Sequence, residues 1–161
     1  MDCFQRLQAY LNNFHVPYCV QYHAPAYTAQ DVAATEHLPG ALMAKVVMVV
    51  ADGALTMLVL PASRRVDEER TAEALGANHV RLATEDEFTS KFLDCATGAM
   101  PPFGNLYGVP IYADSVLAEN QTITFQAGSH TRTISLKYSD YERLASPTVV
   151  DLAMHPIGHR M

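Results

Sequence analysis

The sequence predicts an α+β fold, a single domain with a mixed, mostly antiparallel sheet curled towards a barrel and short helices around it. Three observations lead there. The chain has 161 residues, 49% of them apolar, which is enough for one core and too few for two ordinary domains, so residues 1–161 are read as one unit. About seven strand-like segments are mixed with five short helical ones. Neighbouring strands are joined by hairpin turns rather than by regular strand-helix alternation, which disfavours a parallel sheet.

Phe4, Leu7, Tyr10, Leu11 and Phe14 recur at helical spacing, and the pattern stops before Val16-Pro17. Tyr18 to His23 alternates as a strand and ends at Ala24-Pro25. Thr28, three residues before Asp31, is placed to start a helix from Ala29 to His37, broken by Leu38-Pro39-Gly40. Val46 to Val50 and Leu55 to Leu60 flank Ala51-Asp52-Gly53-Ala54, the strongest hairpin signal in the chain. Runs so continuously apolar belong to strands covered on both faces. After Pro61, Val66 to Leu75 reads as a helix with Asp67, Glu68 and Glu69 at its positive end, stopped by Gly76. Val80 to Leu82 is a strand, and Thr84 caps a helix that opens on Glu85, Asp86 and Glu87. Gly98 to Pro110 holds three prolines and three glycines, Gly98, Gly104 and Gly108, and so forms a stiff irregular loop. Ile111 to Ala113, Thr122 to Gln126 and Thr131 to Leu136 are strands, the last two joined through Ala127-Gly128-Ser129-His130. A helix starts near Ser139, and an apolar stretch runs from Thr148 to Met154.

Charge and composition narrow the function. A net charge of −6 with only three lysines disfavours a long nucleic-acid surface, and DNA is not an expected partner. No apolar run reaches the ~20 residues of a membrane helix, so no membrane partner is expected. Met1-Asp2-Cys3-Phe4-Gln5-Arg6 has neither a basic start nor an apolar stretch, which points to a cytoplasmic protein. Cys3, Cys19 and Cys95 are odd in number and lack paired spacing, so they read as reduced thiols. No nucleophile elbow, H-E-x-x-H, P-loop or dinucleotide fingerprint is present. His155 and His159 have metal-like spacing, but Pro156 and Gly158 oppose the helix that would align them; neither metal nor cofactor is expected.

Three distant segments carry the remaining chemistry and are expected to share one pocket. Lys45 stands at the mouth of a strand whose next five residues are apolar, so its stem is buried and its ammonium enters a cleft, unless it is a snorkelling or paired surface lysine. In the Gly98 to Gly104 loop, Pro101-Pro102 pre-fix the backbone while Gly98 and Gly104 let a ligand reach main-chain groups; the alternative is a rigid connection. Phe103 anchors the core in either case. In Gly128-Ser129-His130 the glycine suits a turn, and His130 either orients water or is simply exposed. Arg64-Arg65 reads as a solvated pair rather than a phosphate site.

The ordered series His23-Ala24-Pro25-Ala26-Tyr27-Thr28-Ala29, Ala44-Lys45, Leu58-Val59-Leu60-Pro61-Ala62, Val66-Asp67, Gly98 to Gly104, Asp114 and Ala127-Gly128-Ser129-His130 resembles the YbaK/prolyl-tRNA-synthetase-associated editing domain family over most of the chain. That resemblance implies a trans-editing deacylase, which hydrolyses the ester of a mischarged tRNA carrying a small amino acid, including tRNA for proline. Its partner would be the aminoacyl-tRNA 3′ acceptor end, with a synthetase as a further candidate. It implies that Lys45 binds the tRNA 3′ end, that Gly98, Pro102 and Gly104 shape the reacting ester, and that His130 acts in catalysis or selection. Tyr27, Met100, Phe103, Asp114, Gly128 and Ser129 would contact substrate. An activated ester needs no protein nucleophile: water, helped by the substrate's own groups, suffices if backbone N–H groups hold the oxyanion. The competing expectation is a non-catalytic module that binds a nucleotide, a metabolite or a synthetase.

Overall fold

The computed structural model describes residues 1–36 and 40–154, apart from the side chains of Thr35, Ala153 and Met154. The predicted break at Leu38-Pro39 and the His155/His159 pair lie outside the described residues.

Helix α1 (Cys3–Asn13) starts on a reciprocal cap: the Asp2 carboxylate accepts from the Gln5 N–H, and the Gln5 side chain accepts from the Asp2 N–H. It buries Cys3, Phe4, Leu7 and Leu11. Strand β1 (Cys19–Tyr22) follows, then α2 (Ala29–Thr35), whose Thr28 hydroxyl accepts from the Asp31 N–H. The hairpin of β2 (Ala44–Ala51) and β3 (Ala54–Pro61) turns on Asp52 and Gly53, both at positive φ, as a tight right-twisting hairpin demands. Along β2, Ala44, Val46 and Met48 pack on the main core while Val47 and Val49 pack on a second cluster, so the strand is covered on both faces as its composition required.

The next segment departs from expectation. Arg65–Val66 is a short strand, β4, and the helix α3 begins later, at Glu68, running to Leu75 behind an Asp67 cap. Strand β5 (Val80–Leu82) and α4 (Glu85–Phe88) lead into the loop. Beyond it lie β6 (Ile111–Asp114), β7 (Thr122–Gln126), β8 (Arg132–Lys137) and α5 (Tyr138–Ala145). The apolar stretch after α5 forms two more short strands, β9 (Thr148–Val150) and β10 (Ala153–Met154).

The strands form a five-stranded sheet, β5-β2-β3-β6-β9, a three-stranded sheet, β1-β8-β7, and the pair β10-β4. Pairing is antiparallel except for β3–β6 and β6–β9. The two larger sheets meet where Met43 bridges Thr124, so they curve about one core without closing a barrel. Phe103 sits in that core with no exposed surface, against Phe125, Tyr141 and Tyr10. No helix among the described residues is long and apolar enough to cross a membrane.

The expectation of three reduced thiols is corrected. Cys3 and Cys95 form a disulfide across 92 residues, and only Cys19 is free. Helix α1 and the segment after α4 bring them together, a long-range meeting that spacing along the chain cannot show.

Candidate functional site

The turn after β7 and the loop after α4 are joined by backbone hydrogen bonds: the Ala96 N–H donates to Gly128 O, and the Gly128 N–H to Ala99 O, both at 2.9 Å. Gly128, at φ 89°, rests on the disulfide, where an added Cβ would lie 2.9 Å from Cys3 Cβ and Sγ. His130 Nε2 lies 3.0 Å from Thr97 O. A carbonyl only accepts, so this nitrogen carries a proton. Nδ1 is buried with no hydrogen-bond partner among the described residues. The imidazole also packs on Tyr27 at 4.7 Å between ring centroids and approaches Gly98, whose φ of 85° favours glycine.

Beside this assembly is a cavity of about 170 Å³. Tyr27, Thr28 and Ala29 from the start of α2 form one wall, Ala44, Lys45 and Val46 from β2 another, and Gly98 and Met100 a third, with Gln126 at the end of β7. The N–H groups of Gly98 and Met100 donate to no described residue. Lys45 is half-buried, and desolvation, then the positive charge of Arg65, lowers its pKa from the ordinary lysine value. It also lines a larger cleft of about 660 Å³, with Val47 and Leu82 on one side and Arg65, Val66 and Asp67 on the other.

The structure thus brings together Lys45, Gly98, Met100 and Tyr27, with His130, Gly128 and Ser129 immediately behind them. Ser129 is occupied locally, its hydroxyl 3.3 Å from that of Thr131 and accepting from Arg132 Nε at 3.2 Å. Pro102, Phe103 and Gly104 do not line the cavity; they are buried, and Gly104 is so tight that an added Cβ would lie 2.8 Å from Val109 O. Asp114 also stands apart. Its fully buried carboxylate accepts from the Leu152 N–H at 3.3 Å, and burial pushes its pKa up.

Sequence reasoning passed over Gln126, Thr28 and Val46. Gln126 lies at the inner end of an alternating strand, and only the position of β2 opposite β7 shows that its side chain meets a cavity. Among the described residues, the grouping of metal-type donors is Cys3, Asp94 and Cys95, with atoms within 4.8 Å of one another. Two of the three sulfur and oxygen donors are bonded to each other as the disulfide.

A family model described as an aminoacyl-tRNA editing domain matches residues 23–144. A curated Escherichia coli K12 protein, Multifunctional Ser/Thr-tRNA deacylase ProXp-y, is 31% identical over 96 residues, which cover 59% of this chain and 57% of that protein. Its O157:H7 counterpart matches to the same extent. The matched region is therefore less than two thirds of the curated relatives' length. Among solved structures, a hypothetical protein superposes with a TM-score of 0.83 at 16% identity, covering 92% of this chain and 99% of that one. A candidate trans-editing enzyme for prolyl tRNA synthetase superposes with a TM-score of 0.79 at 20% identity, covering 95% and 98%. At such identities the likeness is one of fold.

Proposed function

The chain belongs to the aminoacyl-tRNA editing domain family, and from that premise we propose that it is a deacylase that hydrolyses the ester between a small amino acid and the 3′ end of a mischarged tRNA. The observation that carries this reading is the cavity itself. At about 170 Å³ it suits a small aminoacyl group, well below the ~300 Å³ at which drug-sized sites begin. Lys45 stands where this cavity meets the larger cleft. Its ammonium holds the terminal phosphate or ribose and supplies orientation rather than a proton.

The backbone supplies the electrostatic part. As water attacks the ester carbonyl, negative charge gathers on oxygen; the N–H groups of Gly98 and Met100, in residues that line the cavity and without a described acceptor, receive it on this reading. His130, packed on Tyr27 and against Gly98 and bonded to Thr97 O, acts from behind the wall by holding Tyr27 and Gly98 in place. Pro102, Phe103 and Gly104 act from behind, by fixing the loop. A synthetase that presents the tRNA would fit the acidic charge of the chain.

The test is deacylation of a panel of tRNAs charged with alanine, serine, threonine or cysteine, tRNA for proline among them, with Lys45→Ala as control. Acceleration of at least one ester, lost in Lys45→Ala, is expected. Equal decay with and without protein across the panel overturns the reading, and binding of charged tRNA without turnover would mark a non-catalytic module.

A further inference from the structure

Gln126 is 8% exposed, and its side chain lines the small cavity beside Lys45, Gly98 and Met100. A carboxamide offers two donors and one oxygen acceptor, and what they meet decides which groups the cavity can accept. Among the described residues this one makes a single hydrogen bond, from Nε2 to Ala26 O at 3.5 Å, the outer limit of such a contact. Ala26 O only accepts, so the nitrogen is fixed on that side and Oε1 has no described partner.

The neighbours do not meet this need. Thr133 faces Gln126 across the β7–β8 ladder, but its hydroxyl already donates to the Glu36 carboxylate at 2.7 Å. Ala44, Val46 and Met100 present only apolar side chains to the cavity. An acceptor with unused capacity on the wall of a small pocket fixes the orientation and identity of what enters. Size alone distinguishes seryl from alanyl esters poorly, whereas a hydrogen bond to a hydroxyl distinguishes them well.

Resting on the deacylase reading, we propose that Gln126 selects the amino acid, its Oε1 accepting a hydrogen bond from the side-chain hydroxyl of a β-hydroxy amino acid esterified to the tRNA. Seryl and threonyl esters are then preferred to alanyl esters.

The experiment compares kcat/KM for seryl-, threonyl- and alanyl-tRNA in the wild type, Gln126→Leu and Gln126→Asn. In parallel it measures affinities for adenosine carrying a 3′-seryl or 3′-alanyl amide, which resists hydrolysis. The wild type is expected to prefer seryl over alanyl by about tenfold or more, Gln126→Leu to bring that ratio within about twofold, and Gln126→Asn to retain part of it. Both rates come from one preparation, so a smaller folded fraction leaves the ratio unmoved. A wild type without the preference, or a Gln126→Leu ratio equal to wild type, overturns the proposal. If the wild type hydrolyses none of the esters, the deacylase reading falls and the ratio of analogue affinities still decides the role of Gln126.

Discussion

Lys45, in the role proposed for it, would serve a site against the interest of the fold. Burial and the nearby Arg65 lower its pKa, so the folded protein holds this proton less firmly than the unfolded chain does. Between the folded value and the unfolded one, near 10.4, the unfolded state binds more protons, and stability rises with pH through that window. At neutral pH the charge is a burden on the native state. Lys45→Met is therefore expected to melt about 2 °C higher at pH 7 while losing about 100-fold or more in deacylation, with the melting advantage shrinking as pH approaches 10. Thermal melts across pH, read beside the deacylation assay, decide it. Gly128 is constrained in the opposite sense. Both its φ of 89° and the 2.9 Å approach to Cys3 resist a side chain, whereas Gly53, at φ 84°, has open space around it. Gly128→Ala should cost about 3 kcal/mol and Gly53→Ala about 1 kcal/mol, measured by urea unfolding; equal costs would show that the contact with Cys3 is immaterial. Lys45 was legible in the sequence because a lysine ahead of five apolar residues is conspicuous. Gln126 was not, because alternation along Thr122–Gln126 says which residues share a face and not what that face meets.

At the level of elements, the β2–β3 hairpin was the easiest to read and the disulfide the hardest, for the same reason of sequence distance. The Asp52-Gly53 turn is specified locally, while Cys3 and Cys95 meet only after α1 docks beside the segment that follows α4. The pairing of β6 with β9, parallel and non-local, was hidden in the same way. Asp52 does more than turn the chain. Its carboxylate accepts from the Asn78 and His79 N–H groups, which hold its pKa below the ordinary aspartate range and tie the hairpin to the start of β5. A depressed carboxyl contributes stability above its unfolded pKa of about 3.9 and loses it as pH falls through the lower folded value. Asp52→Asn, which tolerates the positive φ, should therefore lower the urea midpoint by a constant amount above about pH 5, and the gap to wild type should narrow below about pH 4. A gap independent of pH would mean that charge on Asp52 plays no part. The disulfide closes a long loop, and replacing Cys3 and Cys95 together by serine is expected to cost about 2–4 kcal/mol in the same measurement. Because Gly128 leans on this bridge, the loss should also appear as slower deacylation.

For the molecule as a whole, the paradox is an acidic protein read as acting on a polyanion. The chain carries a net charge of −6, and its three lysines are dispersed at positions 45, 91 and 137. Lys45 and Arg65 are the cations that line the cavity and the adjoining cleft, and Asp67, Glu68 and Glu69 line the cleft with them. On the proposed reading, the protein would grip the single-stranded acceptor end through about two phosphates and leave the tRNA body untouched. Each neutralised phosphate on a single strand releases about 0.7 of a counterion, so log kcat/KM should fall against log salt with a slope of only about −1 to −2. A slope steeper than about −4 between 50 and 200 mM salt, measured below saturation, would require an extended basic contact and would sink this account. Repulsion from the acidic remainder acts at longer range and is itself screened by salt, which flattens the slope further at low ionic strength. The same experiment repeated with a short aminoacylated acceptor-stem mimic in place of whole tRNA should give an unchanged slope, because the proposed contacts are confined to the phosphates at the 3′ end.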